Sequence, residues 1–326
     1  MTVLGPIGRW FQARVNNGVD DAIRMAIIDG HGEVKRAWLI PHRLHDGRSA
    51  LRQIFRFLDI AFAEPPLNPR MQRMPLLRLL AARPWRSIPV AAAPAWRHDP
   101  AGRDDDAVAE PVFRVLDRNS RDLLQCWADG HGVSLTAVML WAQHRAVMKS
   151  LCRKDSGGIW FVPVDMRPAV AGEGNGSGGV YIHLRPDCSP ADVHAALGAA
   201  LKAGQHWWLW LQAVWVARLG QRLLDWLYPR LARPGQYVGS FSALGQWQVS
   251  PGDALAAGDS FYICGPGSPA YPVSNGFTQV NDHISLVLRV DRGVDPGGVL
   301  APATLAAWAG ILEQLCSDAR RQQEVA

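Results

Sequence analysis

Paired cysteines are missing from this chain of 326 residues: its five (Cys126, Cys152, Cys188, Cys264 and Cys316) are odd in number and widely scattered. With no CxxC step and no Cys/His spacing suited to zinc, the sequence speaks against a disulfide framework and against a metal centre. Reduced thiols are the expectation. The N-terminal stretch lacks a long apolar core ahead of a small-residue cleavage site, so no secretory signal is expected and the protein is read as cytoplasmic. Lysine is scarce beside arginine, and no Lys/Arg cluster is interleaved with aromatics. A net charge of +5, from 34 basic and 29 acidic residues, is too mild for a nucleic-acid footprint but suits an anionic small ligand or an acidic protein partner. No Walker-type loop is present: GEGNGSGG is glycine-rich but lacks the Lys-Ser/Thr ending, and reads as a turn. A G-x-S-x-G elbow is also absent, which argues against an α/β-hydrolase.

What is there is a folding chain. A hydrophobic fraction of 48% and a charged fraction of 19% exclude disorder as a whole, and the length gives room for a sizeable core in two lobes. Tryptophan is abundant, at fourteen, and five lie in HWWLWLQAVWVARLGQRLLDWLY (Trp207, Trp208, Trp210, Trp215, Trp226). Its apolar run stops at Arg218 and is interrupted by Gln212, short of the roughly 20 apolar residues that cross a bilayer. Two readings stay open for this segment. One is a core helix packing aromatics between lobes. The other is an interfacial or acyl-chain-lining helix making weak peripheral membrane contact, with Arg218, Arg222 and Arg230 on its polar side.

Periodicity places strands at 23–29 and 34–40 around the turn Gly30-His31-Gly32, the second ending in a buried apolar run. A helix over 48–62 is ended by Pro65 and Pro66, and a basic amphipathic piece follows in MQRMPLLRLLAA. Residues 83–110 are Pro/Ala-rich, carry the acid run Asp104-Asp105-Asp106, and read as a linker or long crossover loop. Beyond them come a strand in PVFRVLD, a helix over 119–131, and a helix in SLTAVMLWAQHRAVMKSL that Ser134 would cap. Further strands are expected in IWFVPVDM, GVYIHL, YVGSFSAL, SFYIC and HISLVLRV, with helices over 190–204, 205–231 and 302–322. Asn275-Gly276 and Asn281-Asp282 carry hairpin turn chemistry. The mixture lacks strict βαβ alternation, so the class is α/β or α+β with mixed sheets. The expected division is a shortened N-terminal lobe with its linker, 1–108, and a C-terminal lobe, 109–326.

The chemistry-bearing stretch is AWLIPHRLHDGRSA, residues 37–50. His42 and Asp46 stand in a His-x-x-x-Asp-Gly arrangement just past a strand, Gly47 permits a sharp turn, and a helix begins at once. The spacing alone is cheap, since His183 and Asp187 repeat it, but His183 lies inside a strand with no glycine or helix following. A turn off a strand end can aim an imidazole into a cleft. His45 reads as turn decoration, and the histidines here lack the pair spacing of a metal site.

This region resembles the His-His-x-x-x-Asp-Gly stretch of the chloramphenicol-acetyltransferase-like superfamily. That group includes peptide-synthetase condensation domains, wax-ester-synthase-type acyltransferases and polyketide-associated acyltransferases. Pro41 replaces the first histidine, while His42, Asp46 and Gly47 match the second histidine, the aspartate and the glycine. Later segments keep the family's order. GVSLTAVMLWAQHRAVM is similar to its "G-x-S" helix, FVPVDMRP to its "PV-x-x-R-P" strand, GNGSGGVYIHL to its "GN-x-x-G" strand and SFSALG to its "S-N-x-G" strand. Together they cover most of residues 34–250. Thr136-Ala137 departs from the Asn-Asp that wax-ester-synthase-type members often carry, and the segment ahead of the motif is short for the family.

The resemblance implies a two-lobed coenzyme-A-dependent acyltransferase-like fold with a tunnel between the lobes. His42 would be the general base, acting on a hydroxyl or amine acceptor, and a neutral imidazole suits that role. Asp46 would be structural, paired with Arg167, and Gly47 would shape the loop. Ser240, Ser242 and Asn175 would line the substrate site, one of the two serines as an oxyanion donor. No tightly bound cofactor is implied. The donor would be a coenzyme A or phosphopantetheine thioester, the partners a small-molecule acceptor and an acyl-carrier protein. The alternative is a degenerate member that binds a carrier protein or another partner without catalysing.

Overall fold

A computed structural model describes residues 4–68, 71–100, 109–154, 156–170, 174–252, 255–256 and 258–325. The chain opens with an unanticipated helix, α1 (Pro6–Asn16), in which Pro6 occupies a first-turn position whose N–H needs no partner. An antiparallel hairpin follows, β1 (Ala22–Ile28) and β2 (Val34–Pro41), in the register Ala22↔Pro41 to Ala26↔Ala37. Its buried member is β1. The apolar end of β2 was expected to be buried, but Leu39 is 68% exposed and only Ile40 is fully covered. The reason is position: β1 lies between β2 and a later strand, which leaves β2 at the sheet edge.

The next helix, α2 (Gly47–Phe57), ends five residues before the expected 62 because Asp59 takes a left-handed conformation, φ 53°. The chain then extends into the short β3 (Phe62–Ala63) and the helix α3 (Leu76–Ala82). Much of the stretch read as a linker is anchored rather than loose. Trp96 is buried, bridges to Cys152 and donates its indole N–H to the Gly235 carbonyl at 3.0 Å. The acid run Asp104-Asp105-Asp106 lies outside the described residues.

From there the order is β4 (Val112–Leu116), α4 (Arg118–Gly130), α5 (Leu135–Leu151), β5 (Gly158–Asp165), β6 (Ser177–Leu184), α6 (Pro190–Lys202), α7 (Gln205–Arg218), α8 (Gln221–Leu231), β7 (Gly239–Val249), β8 (Ser260–Cys264), β9 (Val273–Val280), β10 (His283–Val290) and α9 (Leu300–Val325). Ser134 caps α5 as expected, its hydroxyl accepting from the Ala137 N–H. Two expectations fail. The helix over 205–231 is two helices, because Gly220 at φ 94° breaks it after Leu219. Asn275-Gly276 is no turn: it sits inside β9, where a side chain at Gly276 would run into the Ser242 carbonyl. The hairpin turn is the other candidate pair, with Asn281 at φ 50° between β9 and β10.

The strands form two sheets, and the class is the mixed α/β one expected. The larger runs β4-β10-β9-β7-β5-β6, with β3 beside β7, and β7 runs parallel to β5 and β9 while the other pairs are antiparallel. Its core, including Leu140, Trp160, Phe241 and Trp308, lies beneath α4, α5, α6 and α9. In the smaller sheet, β2-β1-β8, the third strand comes from residues 260–264. A second core holds this sheet to α2 and β7, with Phe55 edge-on to both Phe261 and Trp247. The loop between β2 and α2 is thereby flanked on both sides by residues of the second core, Ile40 and Ala50.

Candidate active site at the His42 loop

Beyond β2 the Pro41 carbonyl accepts from the N–H groups of Leu44 (3.1 Å) and His45 (3.2 Å), closing a tight turn. His42 donates its own N–H to the Asp21 carbonyl at 2.8 Å, and the Asp21 carboxylate accepts two bonds from the Arg43 guanidinium at 2.9 and 3.0 Å. The turn is clamped to the start of β1 by both bonds. Across it lies α1, so close at Gly8 that a β-carbon there would collide with the Arg43 carbonyl. That approach brings Phe11 onto the His42 ring, with centroids 4.0 Å apart and planes 18° from parallel.

On the other side stands Asn175, whose Nδ2 lies 3.0 Å from His42 Nδ1 and donates to the His42 carbonyl at 3.1 Å. Its Oδ1 accepts from the Ser177 N–H at 3.2 Å. Burial pushes the imidazole down to about 4, and the Arg14 guanidinium on α1 pushes the same way, against the pull of Asp46 and of nearby backbone carbonyls. At neutral pH His42 is therefore uncharged.

Asp46 does not reach the imidazole. It caps α2, accepting from the Ser49 N–H at 2.8 Å while its own N–H donates to the Ser49 hydroxyl at 2.9 Å, a reciprocal capping box. The same carboxylate accepts from the Gly176 N–H at 2.9 Å and from Arg167 Nη2 at 3.1 and 3.3 Å. Burial alone would raise its pKa; the Arg167 charge and the two backbone N–H groups outweigh this and hold it below the ordinary value. From Arg167 the charges alternate through Asp165 (2.7 Å), Arg48 (2.8 Å from Asp165), Glu64 (3.8 Å) and Arg52 (2.6 Å). The chain of charges balances and ties α2 to the end of β5.

Gly47 differs from its expected role. Its φ is not positive, so no special turn is needed; instead, a β-carbon would lie 2.8 Å from Leu244 Cδ2. Ser240 and Ser242 sit on β7, opposite Ser274 and Gly276 of β9, and neither hydrogen-bonds His42 among the described residues. His45 is half-buried, with an Nδ1 that has no hydrogen-bond partner among the described residues. The competing pair is dismissed: His183 is exposed on β6, and Asp187, 79% exposed, pairs with Arg185 at 3.6 Å. A groove of about 580 Å³ lined by Arg97, Trp141, Arg145, Lys149, Arg153 and Lys154, among others, does not include His42.

The Trp-rich segment divides its aromatics. Trp207 is buried against Met71, Leu79 and Met166, whereas Trp215 and Trp226, at 46% and 54%, are exposed. Among the described residues no helix is long and apolar enough to cross a membrane. Four site residues escaped the sequence reading: Phe11 and Arg14, because α1 was not foreseen, and Asp21 and Asp165, which look like ordinary strand-end acids. The Asp46-x-x-Ser49 capping pattern was the one readable signal left unused.

No family model and no curated protein matches the sequence. Solved structures do match. The wax ester synthase/diacylglycerol acyltransferase from Marinobacter aquaeolei VT8 is 15% identical with a TM-score of 0.52, over 87% of this chain and 68% of that one. The EpoB cyclization-docking bidomain of a nonribosomal peptide synthetase from Sorangium cellulosum is 14% identical with a TM-score of 0.53, over 86% and 59%. The condensation domain from the monacolin K polyketide synthase MokA is 13% identical with a TM-score of 0.52, over 84% and 67%. This chain thus spans roughly three fifths to two thirds of each. At such identities the likeness is one of fold, the two-lobed fold of condensation domains and coenzyme-A-dependent acyltransferases that the order of motifs implied.

Proposed function

We propose, with that fold as the premise, that the protein transfers an acyl group from a thioester to a hydroxyl or amine acceptor, with His42 as general base. One observation carries the reading: a single uncharged imidazole on a strand-end loop whose Asp46 is locked by Arg167 from the opposite sheet. In the step envisaged, the acceptor oxygen or nitrogen attacks the thioester carbonyl while His42 Nε2 takes its proton. The C–S bond then breaks, and the same proton passes to the departing thiolate. His42 is neutral at pH 7 and Asp46 and Arg167 are paired, as base catalysis at an imidazole requires.

The donor in this reading is a coenzyme A or phosphopantetheine thioester, which supports an acyl-carrier protein as a partner. Two of the structural neighbours are described as parts of a nonribosomal peptide synthetase and of a polyketide synthase, and that supports the same partner here. Asp46 and Arg167 hold the loop and move no protons. Ser240 or Ser242 on β7 would donate to the oxyanion, and exposed Trp215 and Trp226 would supply any peripheral membrane contact.

The test is release of free thiol from a panel of acyl donors, with and without amine and alcohol acceptors. Wild-type turnover that falls at least about 100-fold in His42→Ala supports the reading. Equal rates in the two proteins remove His42 from the mechanism and leave the partner-binding module as the better description.

A further inference from the structure

Three arginines, each only 7% exposed, meet at the end of α1, the start of β1 and the end of β10. Among the described residues, Asp20 is the one carboxylate hydrogen-bonded to any of them: its Oδ2 accepts from Arg24 Nη1 at 2.7 Å and from Arg289 Nη1 at 3.1 Å. Arg24 Nη1 also donates to the Ala22 carbonyl at 3.3 Å. Arg14 Nη2 donates to carbonyls alone, those of Asp20 (3.0 Å), Gly267 (2.6 Å) and Pro266 (3.4 Å). Gly267 brings Arg289 beside Arg14, since a β-carbon on it would lie 3.9 Å from the Arg289 guanidinium. Other anions are spent or distant. Asp21 is taken by Arg43, and the largely exposed Glu110 is 3.9 Å from Arg24 Nε. Cys264 adds no counter-charge, because burial pushes its thiol up to about 11 and keeps it protonated.

A guanidinium keeps its proton at pH 7, so three positive charges sit with one negative charge away from water. Such an excess is costly unless a further anion joins it. Donors remain for one. The Nε groups of Arg14 and Arg24 are buried without a hydrogen-bond partner, and Arg24 Nη2 and Arg289 Nη2 make no hydrogen bond among the described residues. The cluster adjoins the His42 loop, because Arg14 Cζ lies 5.0 Å from the centre of the Phe11 ring that stacks on the imidazole. It also ends a row across the larger sheet, in which Ser240 of β7, Ser274 of β9 and Arg289 of β10 are successive partners.

We infer that Arg14, Arg24 and Arg289 form a subsite for a carboxylate, and that the acyl acceptor is a small hydroxy acid or amino acid rather than a neutral alcohol or amine. The substrate class rests on the acyl-transfer reading; the subsite itself does not. Planar guanidinium forks match the two oxygens of a carboxylate. Reach favours the acceptor over the donor as its source. In a hydroxy or amino acid the carboxylate and the nucleophile are a few bonds apart, whereas the phosphates of a pantetheine thioester lie a whole arm away from the reacting carbonyl.

The full chain, labelled with ¹⁵N in its arginine side chains, is titrated at pH 7 and constant ionic strength with three probes. These are 3-hydroxybutyrate, its neutral amide, and inorganic phosphate standing for the anion of the donor. The expected result is saturable movement of the Arg14, Arg24 and Arg289 Nε–H resonances with 3-hydroxybutyrate, and binding of the other two weaker by about tenfold or more. Arg289→Gln leaves Asp20 paired with Arg24 and should weaken 3-hydroxybutyrate by about tenfold or more. Arg24→Gln, which leaves Asp20 paired with Arg289, serves where the first variant does not fold. Failure of 3-hydroxybutyrate to saturate overturns the inference, as does an equal response to the amide or a stronger one to phosphate. Unchanged affinity in a folded Arg289→Gln or Arg24→Gln protein overturns it too. In the thiol-release assay 3-hydroxybutyrate should outperform its amide as acceptor, chiefly through a lower KM. A protein that binds 3-hydroxybutyrate through Arg289 but releases thiol from no donor would sink the acyl-transfer reading and leave the subsite standing.

Discussion

Arg167 reaches Asp46 across 121 positions of sequence and sets Nη2 3.1 Å from the carboxylate, with both side chains nearly sealed from solvent. The pair joins the end of β5 to the cap of α2, and α2 begins one residue after Asp46. Whatever His42 does, its loop is held at that junction. Buried pairs of this kind contribute little compared with a well-packed apolar pair, yet breaking one strands a charge.

Removing the cation is therefore expected to be severe. Arg167→Met leaves Asp46 buried without its counter-charge and should cost about 3–5 kcal/mol of unfolding free energy. The double variant Arg167→Met/Asp46→Asn should recover part of that loss, because the stranded charge is gone while the Ser49 cap retains a side-chain acceptor. Urea unfolding of the four proteins measures both. A double variant as unstable as the sum of the singles would show that the two residues do not act as a pair.

Acid should loosen the fold well above the carboxylate range. His42 and His206 are pushed by burial from an ordinary 6.5 to about 4, and His45 is lowered by the same cause. Between those values the unfolded chain binds protons that the folded chain refuses, so stability is full above about pH 6.5 and declines as pH falls toward 4. Urea midpoints measured from pH 7.5 to 4 should trace this fall, and His206→Gln should flatten part of it. A midpoint unchanged across the window would contradict the buried, neutral imidazoles.

Close approach of α1 to the His42 turn makes Gly8 intolerant of substitution. Gly8→Ala drives a methyl group into the Arg43 carbonyl, which cannot yield without shifting the turn, and should destabilise by about 1–3 kcal/mol. Gly198, inside α6 with open space beside it, is the matched control: Gly198→Ala should stabilise by up to about 1 kcal/mol through helix propensity. Opposite signs for the two changes, read as thermal shifts, are the expected outcome.

Phe11 should govern the proton affinity of His42 rather than only its packing. Phe11→Ala opens one face of the ring to water, which returns the His42 pKa toward 6.5 and costs about 1–2 kcal/mol of stability. An NMR titration of the ring in the variant checks this directly. An unmoved titration midpoint would mean that groups other than Phe11 shield the imidazole.

Much of the site frame was legible because it is local. The strand-end position of His42, the helix after Asp46 and the Ser134 cap each follow from residues within a few positions of one another. The motif order also named Arg167 as the partner of Asp46, which spacing alone never could. What stayed hidden depends on distant backbone. The helix α1 finds its neighbours in α7 and α8, and nothing in PIGRWFQARVN announces that Phe11 will land on an imidazole. In β9 a turn-forming Asn-Gly pair is overruled because strands pair on both its sides and Gly276 admits the Ser242 carbonyl. Asn175 carries glycine-rich surroundings that read as a turn, and only coordinates place its amide on His42.

The strand β8 gives the site a history. It completes the β2-β1-β8 sheet from residues 260–264, so during synthesis β1 waits with an open edge until Cys264 has been added. The His42 turn hangs from the start of β1 through Asp21 and cannot be held firmly before then. A ribosome-bound chain stalled ahead of Ser260 would carry every residue of the motif and still lack a seated imidazole. A step in building this site is therefore taken by a segment that contributes no side chain to its chemistry.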